Sequence, residues 1–329
     1  MIGESKELCD RAEMPCSVFS DVQGNPVEQN VIDGVEAYKT NGCDGVIAFV
    51  RIFFLFFTLS SLQPSTHSLI SQGGGSALDA AKAIALMVGQ TRSLWDFEDR
   101  EDWYTRVNED GMAPVVAVPT TSGTGSEVGR SSVITDVRDH TKKIIFHPKM
   151  LPERVILDPE LTCGLPAHLT AAVGMDALSH SMEAYSSPIY HPMAHGIALE
   201  GMRLVREYLV PAVEDGNDIT ARAHLQVASM MGATAFQKGL GAMHSLAHPC
   251  GAVLGTHHGL TNAVVMPYVL NFNRPKIESD CETLASFLKL ENSTFGSVVD
   301  WVRFFFLFCE KYTLRIISYI RDIITNAGT

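Results

Sequence analysis

GVIAFVRIFFLFFTLSSLQPSTHSLISQGGGSALDAAK, residues 45–82, holds a β-branched run, a glycine turn and the start of an amphipathic helix, with a phenylalanine-rich block wedged between the first two. Gly45–Phe49 has the composition of a buried strand. Ser76 followed by Asp79 matches a capping box and opens a helix expected to run through Val88, with Gly89 as its C-terminal stop. Further strand-like runs stand at Val115–Val118 and Val155–Leu157. Strand, turn, helix, strand is the grammar of a parallel sheet with crossover helices. After Leu165–Pro166 the strand signals fade, and LTAAVGMDALSHSMEAY, MAHGIALEGMRLVREYL and ITARAHLQVASMMGATAFQ carry helical periodicity. The expectation is an α/β domain with a parallel sheet over residues 1–163 and an all-α helical domain over 164–329.

The chain has 329 residues, 46% hydrophobic and 19% charged, enough to bury one large core or two smaller ones. Its net charge of −12 argues against a nucleic-acid partner, since no basic cluster is present to neutralise phosphates. A small-molecule ligand is the better expectation. Seven scattered cysteines, with no Cys-x-x-Cys pair, suggest reduced thiols of a cytoplasmic or mitochondrial-matrix protein. The N-terminal MIGESKELCDRAEMP carries acidic residues and no apolar core, so neither a secretory signal nor a transit peptide is expected. The longest apolar runs fall short of the roughly 20 residues a membrane-spanning helix needs.

Gly73, Gly74, Gly75 and Ser76 lie between a strand and a helix N-terminus, where free backbone N–H groups suit a phosphate. Leu78 replaces the third glycine of the dinucleotide fingerprint, so taken alone an ordinary tight turn is the favoured reading. PTTSGTGSE, residues 119–127, supplies a second hydroxyl- and glycine-rich loop after a strand end. Ligands of open α/β sheets bind outside such ends, and two loops of this kind point to a nucleotide crevice. Asp176 and His180 are four apart, which on a helix places carboxylate and imidazole on one face. HSLAHPCGAVLGTHHG, residues 244–259, repeats the spacing at His244 and His248 and adds His257 and His258. One carboxylate and three imidazoles from this group make a ligand set for zinc, iron or a similar divalent ion.

GGGSALDAAKAIA, PTTSGTGSEVGRSSVITD, DPELTCGLPAHLTAAVGMDALSHSMEAY and FQKGLGAMHSLAHPCGAVLGTHHGLTNAVVMPYVLNFNRP together resemble the iron-containing (group III) alcohol dehydrogenases, across most of residues 15–49 and 73–302. The resemblance implies a dinucleotide-binding α/β domain followed by a helical metal-binding domain, the dehydroquinate synthase-like architecture. It implies Asp176, His180, His244 and His258 as ligands of a divalent ion, Fe2+ first and Zn2+ second. His248 matches a non-ligand histidine at the site mouth, a candidate proton relay and the one catalytic side chain expected. Gly74, Gly75, Ser76 and Asp79 are implied to meet the pyrophosphate and nicotinamide side of NAD, with NADP left open, and Thr120, Thr121, Thr124 and Lys143 to line the same crevice. Asn25, in SDVQGNP, matches a loop near the adenosine half. Hydride transfer between an alcohol and its aldehyde or ketone, in a homo-oligomer, is the implied activity. A lyase of the dehydroquinate synthase type is the sister alternative, against which the Asp176/His180 pair speaks, and an inactive metal-binding fragment is the other.

Two blocks depart from the pattern. The family runs its strand directly into GGGS, whereas here Val50–Gln72 intervenes, and from Arg303 the sequence is unlike the family's helical continuation. Both blocks begin Val-Arg and are rich in Phe and Leu, as translated pyrimidine-rich intron sequence would be; sequencing the mature transcript checks this. The family's first strand and helix, and its last helices, find no counterpart, so a truncated or mis-spliced member is expected.

Overall fold

The computed structural model describes residues 7, 9–49, 53–56, 74–239, 241–254 and 256–313. They form two units, Met1–Thr121 with Ser126–Asp158, and Ser122–Gly125 with Pro159–Thr329.

The first unit is built on strands β1 (Ser17–Phe19), β2 (Val46–Phe49), β3 (Phe53–Phe56), β4 (Val115–Val118) and β7 (Arg154–Val155), with helices α1 (Glu28–Thr40) and α2 (Gly74–Met87). The sheet order is β1-β3-β2-β4-β7. The expected parallel sheet is present as β2–β4–β7, with Val46 opposite Val115 and Ala117 opposite Val155. β3 is an addition from the phenylalanine-rich block. It pairs antiparallel with both β1 and β2, so those two strands run in the same direction with β3 interposed. The rest of residues 50–72, Gly73 and residues 314–329 lie outside the described residues.

Helix α2 is buried almost all round through Ala77, Leu78, Ala80, Ala81, Ala83 and Ile84, which explains its alanine-rich composition. It begins at Gly74, two residues before the expected start, and the expected capping box is not formed. The Ser76 hydroxyl donates to the Gly24 carbonyl at 2.6 Å, while the Asp79 carboxylate accepts from the Ser126 hydroxyl at 2.6 Å and the Val133 N–H at 3.1 Å. Tertiary partners thus take both side chains that a cap would need.

A hairpin of β5 (Ser131–Asp136) and β6 (Thr141–Phe146) was not among the expected elements. β5 alternates half-buried and buried positions, but with Ser131, Ser132 and Thr135 it lacks the apolar run that marks the other strands.

Glu127 lies buried in the same unit, and burial pushes its carboxyl up to about 7, only partly offset by its own backbone hydrogen bond and by Lys82. A carboxyl whose folded value exceeds its unfolded one favours folding most below the unfolded value, near 4.3, and loses that contribution as pH rises through the folded value. Stability should therefore fall between about pH 4.5 and 7 by about 3 kcal/mol from this residue. Denaturant titrations at intervals across that window should show the slope in the parent protein and a flattened profile in Glu127→Gln.

The second unit contains α3 (Ala167–Ser186), α4 (Pro192–Glu214), α5 (Ile219–Ala235), α6 (Ala242–Leu254), α7 (His258–Phe287) and α8 (Phe295–Thr313). α3, α4 and α5 occupy the three segments whose periodicity marked them as helical. His191 caps α4 by accepting the Ala194 N–H at 3.1 Å, just ahead of Pro192. The unit starts at Pro159 rather than at 164, the turn Pro159–Thr162 packing on α5, and buried Arg222 of α5 donates to the Leu165 carbonyl at 3.2 Å and the Thr170 hydroxyl at 2.8 Å just beyond it. The atypical segment from Arg303 continues α8 as far as Thr313, where Phe305 and Cys309 extend the buried row of Val298 and Val302. Among the described residues no helix is long and apolar enough to cross a membrane.

Candidate metal centre

Helix α3 is buried on almost every face from Thr170 to Tyr185, so any charged side chain on it is desolvated unless partnered. Asp176, His180 and Glu183 fall at i, i+4 and i+7, on one face of that helix. His244 enters from the first turn of α6 and His258 is the first residue of α7. Gly259 allows this approach, because a Cβ there would fall on the Ala172 carbonyl of α3. Gly241 acts likewise before α6, where a Cβ would meet the Glu183 carboxylate at 2.5 Å.

The ligand atoms of Asp176, His180 and His244 all lie within 4.8 Å of one another. Asp176 Oδ1 is 3.5 Å from His258 Nε2 and 4.0 Å from His244 Nε2. The His180 and His244 rings stack with centroids 4.7 Å apart, and Phe236 packs against both. His258 stands 5.1 Å from His244, ring to ring. The structure therefore brings together all four residues that the resemblance implied as ligands. His248 is half-buried beside them, its ring 5.8 Å from His244 and 5.2 Å from His258.

Burial penalises charge here, yet His258, His180 and His244 and the Asn262 amide hold the Asp176 carboxyl at about 2. Burial pushes His180 down to about 4 and His258 to about 3, against the pull of Asp176. At neutral pH Asp176 is thus ionised, and the His180 and His258 rings are neutral.

Whether these residues fit a cation is answered by Asn262, which is fully buried. Its Nδ2 lies 2.9 Å from Asp176 Oδ1, 3.3 Å from His244 Nε2 and 3.3 Å from His258 Nε2. Three polar atoms converge on one amide nitrogen that carries two hydrogens, so when both rings present a bare Nε2 one acceptor is left over. The Asn262 Oδ1 and the His258 Nδ1 are buried without a hydrogen-bond partner. A buried anion and several lone pairs aimed at one point suit a divalent cation better than an amide, and the donor set fits.

Two residues here escaped sequence reasoning. Glu183 Oε2 sits 2.7 Å from His244 Nδ1, and the carboxylate accepts the backbone N–H groups of Gly241 at 3.1 Å, Met243 at 2.6 Å and His244 at 3.3 Å. Its i+3 spacing from His180 was the available signal. For Asn262 the signal was its i+4 spacing from His258.

The residues implied for the dinucleotide are placed as follows. Gly74 and Gly75 open α2, and Ser76 ties that end to the loop of the exposed Asn25 through Gly24. Asp79 is not open to a ligand, since both carboxylate oxygens are engaged within the first unit. Thr120 is buried with its hydroxyl unpartnered, Thr121 is half-buried and Thr124 exposed, the last in the segment that belongs to the second unit. Lys143 is paired with Asp136 at 2.6 Å and Asp139 at 3.1 Å.

A family model described as Fe-containing alcohol dehydrogenase family, C-terminal, matches residues 170–303, and one described as iron-containing alcohol dehydrogenase matches residues 63–159. The chain is 43% identical over 263 residues to the 4-hydroxybutyrate dehydrogenase of Cupriavidus necator, covering 78% of this chain and 62% of that protein. It is 37% identical over 277 residues to the NAD-dependent methanol dehydrogenase of Bacillus methanolicus, covering 82% and 65%. It thus spans less than two thirds of the length of these curated relatives. Among solved structures, an iron-containing alcohol dehydrogenase of Thermotoga maritima superposes with a TM-score of 0.75 at 29% identity, over 92% of this chain and 74% of that one.

Proposed function

The chain belongs to the iron-containing alcohol dehydrogenase family, and on that premise we propose that it interconverts a primary or secondary alcohol and its aldehyde or ketone with NAD and a divalent ion, iron(II) first and zinc second. The observation that supports this reading is the meeting of Asp176, His180 and His244, whose ligand atoms lie within 4.8 Å of one another, with His258 Nε2 3.5 Å from Asp176 Oδ1. Asp176, His180, His244 and His258 would hold the ion, which would supply Lewis-acid chemistry toward the alcohol oxygen, and NAD would supply the hydride-accepting capacity.

Asp176 contributes the negative charge of the ligand set, and the neutral rings of His180 and His258 contribute lone pairs. Phe236 shields the stacked rings of His180 and His244. His258 is 29% exposed at its side chain, so access runs past it and past His248. His248 takes the alcohol's proton on a ring nitrogen and passes it outward, imidazole being the side chain suited to exchange near neutral pH.

For the dinucleotide, the N–H groups where α2 begins, at Gly74, Gly75 and Ser76, would meet the pyrophosphate. Asn25, held near that end by the Ser76 bond to Gly24, would meet the adenosine half. Thr120, Thr121 and Lys143 complete the set within the first unit. Asp79 supports it by anchoring Ser126 and β5 to α2. The same reading makes the protein a homo-oligomer of the cytosol or matrix, in keeping with seven cysteines outside disulfides.

The test is spectrophotometric. Protein loaded with iron(II) or zinc should form NADH from a short-chain alcohol, lose the activity on chelation and regain it when metal is returned. Stoichiometric metal without any nucleotide response would favour the inactive metal-binding alternative.

A further inference from the structure

We propose that Glu183 is a positioning residue that fixes the ring tautomer of His244 while docking the start of α6 onto α3, so that one carboxylate presets the third ligand of the metal centre. The inference rests on the metal-centre reading, but its geometry stands without an ion.

Glu183 lies seven residues after Asp176 and three after His180, on the helix that carries both. Its carboxylate accepts from four donors, all belonging to residues 241–244. Three are backbone N–H groups at the beginning of α6, where a helix leaves donors without internal partners. The fourth is the His244 ring. An ionised carboxylate has no hydrogen to give, so at 2.7 Å from Oε2 the hydrogen must sit on Nδ1. The Nε2 lone pair is then free, and Nε2 is the atom that faces Asp176 and Asn262. With the other tautomer, Nε2 would carry a hydrogen toward the point of convergence and could not ligate. His258 has no such partner, its Nδ1 being among the unpartnered buried atoms. The ligand set is therefore asymmetric: His244 is locked by the fold and His258 is left adjustable.

The closest isostere is the most informative variant. In Glu183→Gln the NH2 group can replace Oε2, where it faces the Gly241 N–H and the His244 ring, or Oε1, where it faces the Met243 and His244 N–H groups. The second placement opposes two buried donors and the first only one, so the first is favoured. The NH2 then needs an acceptor, and His244 supplies one by moving its hydrogen to Nε2. Glu183→Gln should thus convert the ligand into a non-ligand while changing no side-chain size.

The experiment uses the full chain stripped of metal. Long-range 1H–15N correlation spectra of the histidine rings, with the His244 signals identified from a His244→Gln variant, should show Nδ1–H in the parent protein and Nε2–H in Glu183→Gln. Zinc affinity, by competition with a chromophoric chelator, should fall about 10- to 100-fold in Glu183→Gln, as is typical when the partner of a ligand histidine is lost. Glu183→Asp, which keeps a carboxylate, should retain the Nδ1–H tautomer. An Nε2–H tautomer for His244 in the unsubstituted metal-free protein would overturn the proposal, whether or not any variant folds. So would zinc affinity and tautomer unchanged in a folded Glu183→Gln. Neither readout depends on alcohol turnover, so failure of the dehydrogenase reading would be seen separately.

Discussion

Asp176→Asn is expected to remove tight metal binding, and with it the proposed alcohol turnover. The carboxylate is the charged member of the ligand set, the rings of His180 and His258 being neutral at pH 7. Its loss should weaken the ion by more than the 10- to 100-fold typical of an outer partner. Without metal the carboxylate is buried on α3 and accepts the Asn262 amide at 2.9 Å, and because the fold holds its pKa below the ordinary carboxylate value the ionised form is favoured there, so Asp176→Asn should bring no gain in stability to the metal-free protein. The check is a pair of melting curves. The parent should gain about 4 kcal/mol when free zinc reaches about a thousand times its Kd, and Asp176→Asn should gain almost nothing at that concentration. Equal gains in both proteins would mean that Asp176 does not hold the ion.

The proposed ligands were legible as a cluster in the sequence because two of them sit four apart on one helix and the others crowd into residues 244–258. Helical spacing is local, and local signals survive in a bare string of letters. Glu183 was not legible for the opposite reason: its partner His244 is 61 residues away, and only the packing of α6 on α3 joins them. The sheet divides in the same way. β2 and β4 announce themselves as apolar runs, whereas β5 and β6 carry serines, threonines and lysines and are identifiable as strands only through their pairing with each other. Ser76 and Asp79 matched a local capping rule but were claimed by Gly24, Ser126 and Val133, none of them nearer than 47 positions. The segment after Arg303 looked foreign by resemblance, yet its spacing of Phe305 and Cys309 continues the buried row of α8.

The largest stability effect is expected from Lys82→Met, a residue that no motif singled out. Lys82 is 1% exposed in the middle of α2. Its Nζ donates to the Ser126 hydroxyl at 2.7 Å and the Ser126 carbonyl at 3.0 Å, with the Gly129 carbonyl at 3.5 Å and Asp79 Oδ1 at 3.6 Å. Burial drives its pKa down, and Asp79 and Glu127 pull it back up. Ammonium and carboxylate together fasten residues 126–133 to the helix whose first turn is the proposed phosphate site. Methionine fills nearly the same space but donates nothing, so Asp79 is left as a buried charge without its cation. Removing one partner of such a pair costs about 3–5 kcal/mol. For a unit of this size that corresponds to a fall in Tm of about 6–20 °C. Lys82→Met/Asp79→Asn should recover part of the loss, because the orphaned charge is gone, and the non-additivity measures the pair directly. A single variant melting within about 2 °C of the parent would show that water reaches this network and that the helix end is held by something else. If the network is as dry as its burial indicates, the double variant should also bind NAD more weakly than the parent without touching it, since the groups lost are those that fix where α2 begins.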